Sequence, residues 1–116
     1  MSQVEGRAER IGLNEALFRE VNERVAEVAE HFVEVETHSE PVEFNCECGR
    51  ADCTEQVTMT LSEYSAVRAA PTRFAVVPGH ELPDVERVVD RHSSYVTVEK
   101  QDDDAAKVAR DTDPRT

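Results

Sequence analysis

The chain has 116 residues and a mass of 13.0 kDa, room for one domain with a modest core. Hydrophobic residues make up 39%, charged residues 33% and aromatic residues 5%, with no Trp. Its 25 acidic residues against 13 basic ones give a formal net charge of −12, which excludes nucleic-acid backbones and anionic membranes as expected partners, since both need a concentrated basic face.

The opening residues, MSQVEGRAER, carry no apolar core after their charges, so no secretory signal is expected. No stretch approaches the roughly 18 consecutive apolar residues of a membrane span. A cytoplasmic location is the expectation. From about Arg7 to Phe32 the spacing predicts one helix. Its apolar residues Ile11, Phe18, Val21, Val25, Val28 and Phe32 follow an a/d pattern, with Asn14 in the one polar slot. Glu20, Glu23, Arg24, Glu27 and Glu30 are expected on the opposite, solvated face. That stripe is expected to pack on a small sheet; self-association is the alternative.

Thr37 to Pro41 breaks the pattern. Val42-Glu-Phe-Asn45 and Glu55-Gln-Val-Thr-Met-Thr60 alternate as two strands of a hairpin, with residues 46–53 as its loop. Thr60-Leu-Ser-Glu63 is a capping box and opens a short helix through about Ala69, stopped by Pro71. Phe74-Ala-Val-Val77 reads as a buried strand ended by the turn Pro78-Gly79. Tyr95-Val-Thr-Val98 is another strand, with Glu86–Arg91 as its hairpin partner across Ser93-Ser94; a short helix from Asp84 competes with that partner. Residues 101–116, opening on Asp102-Asp-Asp104, are expected to form an acidic flexible tail.

All three cysteines fall in Cys46-Glu-Cys48-Gly-Arg-Ala-Asp-Cys53, a C-x-C-x4-C cluster. An odd number so tightly packed is a poor disulfide framework and points to a metal or to redox chemistry. Gly49 is expected to supply backbone freedom and Asp52 a turn, so that the loop curls around one ion. Zinc favours four tetrahedral ligands, which leaves one position for His31, His38, His80 or His92. His80 is the favoured fourth ligand, because it follows Pro78-Gly79 where a side chain can be aimed at a neighbouring loop. His38, just before the strand into Cys46, is second. The negative neighbours Glu47 and Asp52 oppose free reactive thiolates by raising thiol pKa values. No phosphate-binding Gly-rich loop, no G-x-S-x-G and no H-E-x-x-H is present.

The C-x-C-x4-C spacing resembles the cysteine knuckle that follows the catalytic domain in SET-type methyltransferases, where three cysteines hold zinc with a distant fourth ligand. That resemblance covers the knuckle alone, and the methyltransferase domain has no room here. A Cys3His site also holds the [2Fe–2S] cluster of the CDGSH family, but this chain lacks that family's spacing. Taken together, Asn14-Glu-Ala-Leu-Phe-Arg-Glu-Val-Asn22, the cysteine cluster, Leu61-Ser-Glu-Tyr64-x-x-Val-Arg68 and Phe74-x-Val-x-Pro-Gly-His80 are similar to a group of short actinobacterial proteins. In that group the cysteines, the Pro-Gly-His turn and a final Tyr-x-x-x-Glu-Lys strand occur together. The likeness spans about Ala8 to Lys100. It implies that His80 goes with the cysteines, and it implies no activity.

The expected architecture is a single α+β domain over residues 1–100. A long N-terminal helix (7–32) packs on a small antiparallel sheet with a short second helix (42–100), stapled by a metal site of Cys46, Cys48, Cys53 and His80. The expected function is that of a non-enzymatic, zinc-stabilised regulatory interaction module. Its partner is expected to be a protein with a basic face, and the chain itself a monomer or a weak homodimer through the N-terminal helix. A redox or metal sensor, by zinc release or a [2Fe–2S] cluster, and a small thiol- or metal-dependent enzyme are the alternatives.

Overall fold

A computed structural model describes residues 6–32, 40–50 and 52–115. The element order is α1 (Gly6–Phe32), β1 (Pro41–Asn45), β2 (Gln56–Thr60), α2 (Leu61–Val67), β3 (Arg73–Val76), β4 (Glu86–Arg91), β5 (Val96–Lys100) and α3 (Asp103–Asp111). The fold is mixed α+β, as expected. β1 and β2 form an antiparallel hairpin with Phe44 opposite Val57 and Val42 opposite Met59. β3, β5 and β4 form a second antiparallel sheet, in that order, with a register shift between Val88 and Asp90. Glu86–Arg91 is thus a strand rather than a helix.

Local chemistry explains most boundaries. Thr60 caps α2, its Oγ1 accepting from the Glu63 backbone N–H at 3.0 Å while Glu63 accepts from the Thr60 N–H at 2.8 Å. Strand alternation buries Phe44, Val57 and Met59 beneath α2, where Phe44 stacks on Tyr64 at 4.4 Å between ring centroids. A second cluster gathers Phe74, Val76, Val96 and Val98 with Cys46 and Cys48, so two of the three cysteines belong to the core.

Two expectations are overturned. The first concerns the faces of α1. Ile11 and Ala26 are buried, but so are Glu15, Arg19, Asn22 and Glu23, whereas Val21 and Val28, along with Leu13 and Leu17, lie exposed. The helix turns its polar side inward because distant groups complement it. Glu15 and Glu86 both pair with the buried Lys100 ammonium. Arg19 donates to the carbonyls of Pro71 and Ala109 at 2.6 and 2.7 Å and stacks over the Phe74 ring. Glu23, expected in solvent, accepts from Arg115 Nε at 2.6 Å.

The second concerns the C-terminal segment. Where an acidic flexible tail was expected, residues 103–111 form α3. Asp102 caps it, accepting from the Asp104 and Ala105 N–H groups at 2.9 and 3.1 Å. Ala105, Ala106 and Ala109 make a smooth buried face on α3. The approach to α1 is close: a Cβ on Gly12 would stand 3.1 Å from Val108. Beyond α3, Asp113 pairs with the buried Arg68. No helix among the described residues is long and apolar enough to cross a membrane.

Candidate metal centre

The hairpin and the second sheet meet at the cysteine loop. β1 runs directly into Cys46, whose N–H donates to the Glu55 carbonyl at 2.9 Å and extends the β1–β2 ladder by one step. The Glu47 N–H then donates to the Ala75 carbonyl of β3 at 2.8 Å. Extended backbone sends alternate side chains to opposite sides, so Cys46 and Cys48 face one way and Glu47 the other. The Glu47 carboxylate, fully buried, accepts from the Ala75 N–H at 3.0 Å, Tyr64 Oη at 2.8 Å and Asn22 Nδ2 at 2.8 Å. Burial pushes the Glu47 pKa up, and those hydrogen bonds oppose the rise. Glu47 therefore rivets the loop to β3, α2 and α1, away from the thiols.

Gly49 is required for a different reason from the one expected. No positive φ is found there; instead a Cβ on Gly49 would lie 2.4 Å from Ile11 Cγ2, so α1 sits directly on the loop. Asn14 Nδ2 donates to the Gly49 carbonyl at 3.0 Å, and Asn22 Nδ2 donates to the Asn45 carbonyl at 2.9 Å. The turn that needs a glycine's freedom is Pro78-Gly79, where Gly79 has φ 95° and the His80 N–H donates to the Val77 carbonyl at 2.9 Å. Pro at the second and Gly at the third position of that turn are what a type II turn demands. It aims His80 at the cysteines.

The ligand atoms of Cys46, Cys48, Cys53 and His80 all lie within 4.8 Å of one another. His80 Nδ1 is 3.6 Å from Cys46 Sγ and 3.7 Å from Cys53 Sγ. The other ring nitrogen, Nε2, is 2.9 Å from Glu55 Oε2, which assigns the proton to Nε2 and leaves the Nδ1 lone pair facing the thiols. The Val77 N–H donates to Cys46 Sγ at 3.2 Å. The thiols are strongly interdependent: hydrogen bonding from Cys46 draws the Cys48 pKa down to about 4, the same contact pushes Cys46 well up, and burial raises Cys53. Three thiolates do not coexist here without a cation, and this donor set can hold a metal ion.

Of the other histidines, His92 stacks on Tyr95 at 4.3 Å and pairs with Asp90 at 3.0 Å, so it serves β4 and β5. His38 lies outside the described residues, and His31 lies near the end of α1. Sequence reasoning missed Glu47 and Glu55 as supports. Glu47 was within reach, because a residue between two cysteines on extended backbone must face away from them. Glu55 was not, since its use depends on where the Pro78-Gly79 turn delivers His80. Compared with protein-family models, curated proteins and solved structures, the chain matches none.

Proposed function

We propose that the protein is a non-catalytic interaction module whose fold is completed by one zinc ion held by Cys46, Cys48, Cys53 and His80. One observation carries this reading: four soft or borderline donors from two separate chain segments converge within 4.8 Å. Zn–S bonds of about 2.3 Å and a Zn–N bond of about 2.0–2.1 Å at the tetrahedral angle put sulfur and nitrogen about 3.6 Å apart. The separations of 3.6 and 3.7 Å match that figure. A two-iron cluster divides its ligands between two metals and spreads them farther, so the compact set favours a single ion. Four protein ligands close a tetrahedral site and leave no position for a reacting water. With a net charge of −12, the partner that suits this module is a protein with a basic face, and the role is regulatory.

Metal analysis of protein purified without chelator or affinity-tag metal tests the reading. One zinc per chain and a spectrum without visible absorption is the expected result. Iron with absorption above about 400 nm would assign a cluster instead, and protein without metal would overturn the proposal. A second reading, a redox sensor, draws support from Cys53, which is partly exposed while Cys46 and Cys48 are buried. Stoichiometric zinc release under mild peroxide, with recovery on reduction, would establish it.

A further inference from the structure

The outward face of α1 is unusual for a helix so tightly held. Leu13 is 56% exposed, Leu17 61%, Val21 42% and Val28 55%. They follow one another at helical intervals of four, four and seven, and so form a single stripe along the side of α1 away from Glu15, Arg19 and Asn22. Val21, Val25, Val28 and Ala29, with the Arg24 side chain that pairs with Glu20 and Glu27, line a shallow groove of ≈ 410 Å³ toward the C-terminal end of the stripe. The polar face that a solvated helix would show to water is already used inside the domain.

We propose that this stripe is covered by the same stripe of a second copy, with the two α1 helices antiparallel about a two-fold axis midway between Leu17 and Val21. Two asymmetries along the helix point to that occupant and that direction. One is size: the N-terminal half of the stripe offers Leu13 and Leu17, the C-terminal half Val21 and Val28. Antiparallel pairing sets Leu17 against Val21 and Leu13 against the groove at Val25 and Val28, while parallel pairing would crowd one end and leave the other thin. The other is charge. Arg10 lies at the N-terminal end, whereas Glu20, Glu27 and Glu30 are exposed against the single Arg24 in the C-terminal half. Antiparallel pairing brings Arg10 of each copy beside Glu27 of the other, an isologous contact that closes on itself.

The contact is small. Covering the four apolar side chains and their charged neighbours on both copies removes on the order of 1,000 Å² from water, at the lower edge of specific interfaces. The −12 charge on each chain opposes association further. The dimer is therefore weak and concentration-dependent. It depends on the packing of α1 and not on which metal the cysteines hold.

Sedimentation of the metal-loaded chain at physiological salt, from about 10 μM to 1 mM, tests the proposal. The dimer fraction should rise across that range. Leu17→Glu should leave a monomer at every concentration, with an unfolding midpoint close to that of the parent at concentrations where both are monomeric, since Leu17 is 61% exposed. Arg10→Glu should weaken association at least tenfold, and adding Glu27→Arg should restore it. A monomer throughout, or a dimer indifferent to Leu17→Glu, would overturn the proposal. Failure of the double reversal to restore association would overturn the antiparallel arrangement.

Discussion

Glu47 lies between Cys46 and Cys48 and Glu55 two residues after Cys53, and they use their carboxylates in opposite ways. Glu47 is sealed among Asn22, Tyr64 and Ala75 and holds the loop backbone in place. Glu55, with a side chain 60% exposed, pairs with His80 Nε2 and holds the ring in the orientation that turns Nδ1 toward the cysteines. Outer carboxylates of this kind typically account for 10–100-fold in metal affinity. Glu55→Ala is therefore expected to weaken zinc binding by about that factor in chelator competition while the apparent fold by circular dichroism is unchanged. Glu55→Gln, which still accepts from Nε2, should recover most of the loss.

Glu15 poses a different electrostatic problem, because it shares Lys100 with Glu86 and the three groups, all ionised, would carry two negative charges for one positive. Burial holds the Glu15 carboxyl well above its ordinary value of 4.5, so the folded chain binds that proton more tightly than the unfolded chain does. The resulting stability is complete below the unfolded value and is lost as pH rises through the folded one. Glu15→Gln keeps the side-chain shape and removes the second charge. Relative to the parent chain it should gain roughly 1 kcal/mol at pH 8 and less at pH 5, measured by urea unfolding at both. Taking the difference between the two chains cancels any metal loss common to both.

At the scale of elements, α3 closes the second core cluster. It supplies Ala109 to the second cluster, and the residues after it pair with buried charges on α1 and just after α2: Arg115 with Glu23, and Asp113 with Arg68. Ending the chain at Gln101 would leave Arg68 buried without its carboxylate. A loss of about 3–5 kcal/mol, or failure to fold, is expected from thermal and urea unfolding of that truncation. A solvated tail would leave both measurements unchanged.

The same elements explain what could be read in advance. The hairpin around residues 46–53, the α2 cap and the β4–β5 pair announce themselves locally, through alternation, a Thr60–Glu63 box and a Ser93-Ser94 turn. Cys46, Cys48 and Cys53 are marked by spacing, and His80 by the turn before it. The inner face of α1 carries no such mark. Glu15 meets Lys100 across 85 positions and Arg19 meets Ala109 across 90, and no local pattern distinguishes a charge with a distant partner from one facing water. For the same reason the run Asp102-Asp-Asp104 looked like a solvated tail, when one of its members is a helix cap.

For the molecule as a whole, the cysteine loop is where every layer meets. Cys46 and Cys48 are part of the second core cluster, Glu47 joins the hairpin to β3, and Ile11 and Asn14 seat α1 on Gly49. Folded domains of this size are stable by roughly 5–15 kcal/mol, while structural zinc sites contribute an apparent 10–16 kcal/mol in small domains. Chelation at neutral pH is therefore expected to abolish cooperative thermal unfolding, followed by circular dichroism because the chain has no Trp, and stoichiometric zinc is expected to restore it. A melting curve unmoved by chelation would mean that the apolar clusters suffice alone.

The position of α1 has one more effect. A single helix lies with Asn14 and Asn22 hydrogen-bonded to the cysteine loop on one side and with Leu13, Leu17, Val21 and Val28 in the open on the other. Anything that steadies the helix from outside also steadies the carbonyls and backbone that shape the loop within. Linkage makes such coupling reciprocal: the factor by which a metal ion at the cluster would tighten an outer contact of α1 is the factor by which that contact would tighten the ion. Any affinity of the four-donor cluster for a metal ion would then become a function of the chain's company, stronger where α1 is covered and weaker where the molecule is alone and dilute.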